Sequence, residues 1–289
     1  MLRRTAATVL ICLAVAGCSS PAPEAPPVGV PVDAPRVTVV DAGSGAAEVV
    51  RYQDIGSEQS IEVVVRDGFG QFMGQNTNPE PPAVIIEPAS VTILPLSGAT
   101  GEASAQPATR AVELTLGAST TIPGAEGFGV GWRGDDAGQI STVLLHAPTA
   151  ASDKARSATE DAVWSLVNLP VVFPATPIGV GATWTVEARV AGDSGQLQVI
   201  TYTLQSLAGS TAQLDVSVER RPSLGALQVD ERTSLKVSSA ESASSGTLTV
   251  DLTKPLPVAG RVDVATRVIY RDEEAEEVVQ DSSTSVEFR

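Results

Sequence analysis

Between residues 183 and 288 apolar and polar side chains alternate with period two in segment after segment, and few folds accommodate that pattern. Leu214, Val216 and Val218 share one parity, with Asp215, Ser217 and Glu219 on the other. Leu248, Val250 and Leu252 are likewise offset from Thr247, Thr249 and Asp251. Successive side chains of an extended strand point to opposite faces, so this is the signature of strands with one wet face. Segments 183–190, 197–207, 211–220, 233–237, 246–252, 262–270 and 276–288 all carry it. They are enriched in the β-branched residues that suit a pleated surface. Turn residues separate several of them: Gly192-Asp193-Ser194-Gly195, Ala208-Gly209 and Ser244-Ser245-Gly246. Consecutive strands joined by short turns pair antiparallel. The second half is therefore an antiparallel meander whose polar side faces water or a polar lumen.

The first half is less regular. Strand patterns occur at 37–40, 49–52, 59–66, 90–94, 111–116, 128–132 and 140–146, the last entered by a turn at 134–138. Asp67-Gly68 closes the run at 59–66. Gly68, Gly70 and Gly74 miss the dinucleotide-binding spacing by one and precede no helix, so they read as turn glycines. Residues 76–106 contain Pro79, Pro81, Pro82, Pro88 and Pro95, with Pro107 just beyond. Proline has no N–H to give a ladder, so this stretch reads as loop or edge, a long segment that is mobile or functional. One helix stands out. Thr149 or Ser152 supplies an N-cap, Ala155, Ala158, Ala162, Val163, Leu166 and Val167 recur at helical spacing, and Pro170 sets the limit. The expected fold is mainly β: a large curved antiparallel sheet or half-barrel meander with one principal α-helix near 152–168. It forms a single domain over 37–289, divisible into halves 37–150 and 170–289.

The start of the chain carries a different kind of signal. Arg3 and Arg4 precede an apolar run over 5–16. A bilayer-spanning helix needs about 20 apolar residues, so this run is too short to cross and matches a secretory leader. Val15-Ala16-Gly17-Cys18 follows, and it resembles the lipobox of bacterial lipoproteins. The resemblance implies a signal peptide over 1–17, cleavage between Gly17 and Cys18, a diacylglycerol on the Cys18 sulfur and an acyl chain such as palmitate on the freed amine. Two or more chains are what stable anchoring requires. Residues 18–36 are rich in proline and alanine and lack periodicity, as a flexible tether would. Cys12 lies in the leader, so the exported domain has no thiol for a disulfide or a metal.

Charge narrows the partners. The formal net charge is −15, and loss of Arg3 and Arg4 makes the exported chain two units more acidic. Nucleic-acid binding relies on basic side chains neutralising phosphate, so no nucleic acid is expected. Membrane contact is expected through the lipid anchor alone, because an acidic body is repelled by anionic head groups. Arginine far outnumbers lysine, the bias of a GC-rich genome, and the expected location is the extracytoplasmic face of an actinobacterial plasma membrane.

No catalytic constellation emerges. His146 is the chain's sole histidine and reads as an end-of-strand residue. With it alone and no free cysteine, a zinc or copper site is not expected, and no cofactor is implied beyond the lipid on Cys18. Asp135-Asp136 and the run Asp272, Glu273, Glu274, Glu276 and Glu277 are the carboxylate clusters, the second read as a solvated hairpin tip. Arg133-Gly134-Asp135 matches an adhesion tripeptide but falls in a hairpin turn. The stretch from Leu169 to Trp184 is distinctive, with Gly179-x-Gly181-x-Thr183-Trp184 opening the long meander. It looks like a signature of uncharacterised exported bacterial domains, and the overall order resembles the half-barrel carriers of bacterial envelopes. That resemblance implies an acyl-chain ligand in the concavity of a curved sheet. As residue types, Gly179 and Gly181 allow a tight approach of the chain, and Trp184 supplies a large apolar anchor. The expected function is a non-enzymatic binding domain for an apolar ligand or an envelope protein. The alternatives are a carboxylate-based cell-wall glycan hydrolase and a purely structural or interaction module.

Overall fold

The computed structural model describes residues 28–289 except 83–84, 88, 105, 193–194, 229–233 and 272–275. Gly17 and Cys18, and with them the cleavage and lipidation sites, lie outside the described residues, as do Asp272, Glu273 and Glu274.

The protein is mainly β with one helix. The first part comprises β1 (Val28–Pro31), β2 (Arg36–Asp41), β3 (Ser44–Glu48), β4 (Glu58–Gly74), β5 (Ala89–Glu102), β6 (Arg110–Leu116), β7 (Gly129–Gly134) and β8 (Ile140–His146). Helix α1 (Asp153–Val167) follows. The second part comprises β9 (Ile178–Val180), β10 (Thr183–Arg189), β11 (Gln196–Ala208), β12 (Thr211–Pro222), β13 (Ala226–Gln228), β14 (Ser234–Asp251), β15 (Ala259–Arg271) and β16 (Glu277–Phe288). Thirteen strands join in the order β1-β8-β7-β6-β5-β4-β16-β15-β14-β12-β11-β10-β2, with β13 attached to β14. All the pairings are antiparallel. Two meanders, β4 to β8 and β10 to β16, are thus fused where β16 pairs with β4.

The sheet is rolled and not closed. Its two edge strands, β1 and β2, are neighbours in sequence, separated only by residues 32–35. Five peptide steps span at most about 18 Å, so the two edges lie within that distance where the chain crosses. The Val32 N–H bonds the Ser141 carbonyl at 3.0 Å, holding the crossing against β8. Within the segment read from sequence as a tether over 18–36, Val28–Pro31 is a paired edge strand, a position where proline leaves no central ladder bond unmet.

Helix α1 fills the roll. Ser152 is its N-cap, accepting from the Ala155 N–H at 3.2 Å, and Asn168 is its C-cap. Ala155, Ala162, Val163, Leu166 and Val167 are buried toward the sheet. The descent after the helix places Val171, Val172 and Phe173 in the same core, which draws Leu94 and Val112 from one meander and Leu214 and Val250 from the other. An aromatic ladder runs through it: Tyr52, Phe173, Trp184 and Tyr202, with ring centroids 5.5–5.9 Å apart. Trp184 donates to the Val172 carbonyl at 2.8 Å and Tyr202 to that of Pro170 at 2.7 Å, so buried polar atoms are met.

The structure corrects several expectations. Residues 49–52 are not a strand; Val50 and Tyr52 are core residues on an irregular segment. β4 does not stop at Gly68. It runs on to Gly74, and its glycines are strand residues because Thr77 and Ile86 pack on the outer face there: a Cβ on Gly74 would lie 2.3 Å from the Thr77 hydroxyl, and one on Gly68 2.2 Å from the Ile86 carbonyl oxygen. The proline-rich stretch is not all loop, since 89–102 form β5, paired on both sides. Pro95 fits because its backbone points beyond the end of β6, where its carbonyl accepts from Gly117 at 2.8 Å. The turn expected at Ser244-Ser245-Gly246 is absent; β14 runs through it. There β12 departs from β14, and the hydroxyls of Ser244 and Ser242 take over, accepting from the N–H groups of Val218 (2.7 Å) and Arg220 (3.0 Å).

Candidate functional site

Strand β4 leads from the core to an open surface. Val63 and Val65 point inward and are 0% and 1% exposed. Because the ladder to β16 is regular, the same parity continues as Asp67, Phe69, Gln71 and Met73. α1 crosses at Asp67, where the Ser165 hydroxyl lies 3.4 Å from both carboxylate oxygens. Beyond that crossing no other part of the described residues covers the inner face at Phe69 and Met73, which are each 62% exposed.

Other strands repeat the transition. On β12, Leu214, Val216 and Val218 are core, and Arg220 is next in phase. Its guanidinium donates from Nη1 to Thr284 Oγ1 at 3.2 Å and from Nε to Gln198 Oε1 at 3.3 Å. Thr284 itself is in phase with buried Val286 and Phe288 on β16. Two strands lie between β12 and β16, a ladder distance of about 14 Å, so this contact exists only because the sheet curls.

Asp67, Asp161, Trp164, Ser165, Arg220 and Thr284 thereby border a cleft of about 390 Å³ between α1 and the sheet. A trough of about 300 Å³ continues from it over Phe69, Val268, Tyr270 and Gln280. Gln196 and Ser282 line both. Burial pushes the Asp67 carboxyl above its ordinary range, Asp161 adds to this, and the Thr284 and Ser165 hydroxyls and Arg220 oppose it.

The residues singled out from sequence have other roles. Trp184 is fully buried in the aromatic ladder. Gly179 passes against β3, where a Cβ would meet the Ser44 carbonyl oxygen at 2.5 Å, and Gly181 turns the chain with φ +85°. His146 ends β8 and is half-buried. Asp135 accepts from the Gln139 N–H at 2.9 Å and Asp136 pairs with Arg51 at 3.4 Å, so both organise a turn. Arg133 of the adhesion-like tripeptide donates to Ser104. Glu277 is not at a solvated tip. It is buried, accepts from the Thr77 N–H at 2.8 Å and pairs with Arg271. These bonds, the one from the Thr77 backbone foremost, hold its carboxyl down at about 2. Among the described residues no group of three or more His, Cys, Asp or Glu is placed to hold a metal.

Sequence reasoning missed Asp67, Ser165, Arg220 and Thr284, which come from four different elements. A signal existed: Asp67 and Arg220 are charges in phase with the apolar parity of their own strands. Set beside known protein families, curated proteins and solved structures, the chain matches none.

Proposed function

We propose that the protein is a lipid-anchored extracytoplasmic lipoprotein whose β-rich domain binds the apolar part of an amphiphile and catalyses no reaction. The anchor rests on Val15-Ala16-Gly17-Cys18 behind a basic and apolar leader. The ligand reading rests on one observation: the inner face of β4 passes from sealed Val63 and Val65 to Phe69 and Met73, each 62% exposed, and Phe69 lines a concave trough. Covering such a side chain returns about 1.5–3 kcal/mol, and apolar concavities with a few polar groups are the usual form of a ligand site.

Mild extraction followed by native mass spectrometry tests both parts. An amphiphile should travel with the protein and be lost from the Phe69→Asp/Met73→Asp variant; a bare mass for the unaltered protein removes the ligand reading. Peptide mass analysis should find acyl groups on Cys18, and an unmodified Cys18 or an attached leader removes the anchor.

One observation favours glycan hydrolysis instead: Asp67 and Asp161 border one cleft, and a carboxyl raised by burial suits a general acid. That reading requires turnover of cell-wall glycan that Asp67→Asn abolishes; no turnover by the unaltered protein eliminates it.

A further inference from the structure

The cleft beside the trough differs from it chemically, and the difference specifies the other end of the ligand. The trough presents Phe69, Val268 and Tyr270, together with Arg221, the amides of Gln196 and Gln280 and the hydroxyls of Thr266 and Ser282. The cleft presents two carboxyls, one guanidinium, several hydroxyls and an indole. Ligand hydroxyls each need a donor and an acceptor, and carboxylates, a guanidinium fork and neighbouring hydroxyls supply both. Among the described lining residues the charged groups are Asp67, Asp161 and Arg220. An anionic head would meet two carboxyls for a single cation, and a quaternary ammonium would find one ring where it needs a cage. A neutral, polyhydroxylated group meets neither penalty.

The cleft's groups are already fixed. Ser165 holds Asp67, while Thr284 and Gln198 hold Arg220. Gly192, with φ +81°, lies against the indole of Trp164 so closely that a Cβ there would sit 3.0 Å from the ring. Preset polar groups lose little freedom when a ligand arrives. We infer that the cleft binds a sugar or similar polyhydroxylated head group of the amphiphile whose chain lies in the trough. Gln196 and Ser282, common to both, mark where head passes to chain. This rests on the amphiphile reading above.

The test is a titration of the full chain in lipid nanodiscs, read by the fluorescence of half-buried Trp164 against the buried Trp132 and Trp184. The probes are an alkyl glucoside and an alkyl phosphocholine of equal chain length. The glucoside should bind about tenfold or more tightly, as expected when charge-assisted hydrogen bonds are gained. Asp67→Asn and, separately, Thr284→Val should bring it down to the phosphocholine level and leave phosphocholine binding unchanged. Equal binding of the two probes, tighter binding of the phosphocholine, or indifference to both substitutions overturns the head-group inference while the trough reading stands. Binding of neither probe overturns both.

Discussion

The two ends of β4 lie on one face of one strand and have opposite fates. Val63 and Val65 belong to the core that α1 and residues 169–173 pack, and the spaces left beside Val167 and Pro170 measure about 40 Å³ and 30 Å³. Past Asp67 the spaces are about 390 Å³ and 300 Å³, bordered by exposed Phe69 on one side and charged Asp67 and Arg220 on the other. The alternation that makes a strand is the same in both. What differs is whether another part of the chain arrives to cover it. Alternation thus determines which face is inner and leaves the occupant of that face open.

Substitutions at the two ends should separate accordingly. Trp184→Ala in the packed end should lower unfolding free energy most, by about 3–5 kcal/mol, since it removes a fully buried ring and orphans the Val172 carbonyl. Asp54→Asn should cost about 3 kcal/mol. Its carboxylate is completely buried, receives Arg110 through two bonds of 2.7 and 2.5 Å, and accepts from Thr100 at 2.9 Å, so breaking the pair strands Arg110, which lies 4.2 Å over the Tyr52 ring. Ser152→Ala should cost about 1 kcal/mol through loss of the helix cap. Phe69→Ser in the open end should change stability by no more than about 0.5 kcal/mol while abolishing amphiphile binding. Denaturant melts read the first three and the stability of the fourth. A large loss from Phe69→Ser, or a small one from Trp184→Ala, would erase the distinction.

Acid should act on the outer face of the open end. Glu277 has its folded pKa depressed to about 2 from an ordinary 4.5. The stability it contributes is complete above about pH 4.5 and disappears as pH falls through about 2. Hydrogen exchange at Thr77 and Ile86, whose N–H groups bond Glu277 and Ser283, should rise across that window. Glu277→Gln should show the raised exchange already at neutral pH.

Much of this architecture was legible. The alternation of Leu214 to Val218 and Leu248 to Leu252 shows the second meander, and Ser152 with the Ala155 to Val167 stripe shows the helix. Three strands were misread because local punctuation competes with tertiary pairing. Gly68 marks where Ile86 lies on β4, not where it ends; Pro95 points past the end of β6; and the serines of β14 bridge a departing neighbour. Tertiary context overrides local preference at such places. The cleft was not legible because its residues meet only through the curl that brings β12 to β16.

The contrast between the packed and open ends is tested most directly by amide hydrogen exchange with and without the alkyl glucoside. Protection gained on ligand addition should be confined to the trough and the adjoining cleft, at 67–74, 161–165, 220–222, 266–271 and 278–284, with β6, β7 and β8 unchanged. Protection spread over β6 to β8, or none anywhere at saturating ligand, would contradict a molecule packed at one end and built to receive a guest at the other.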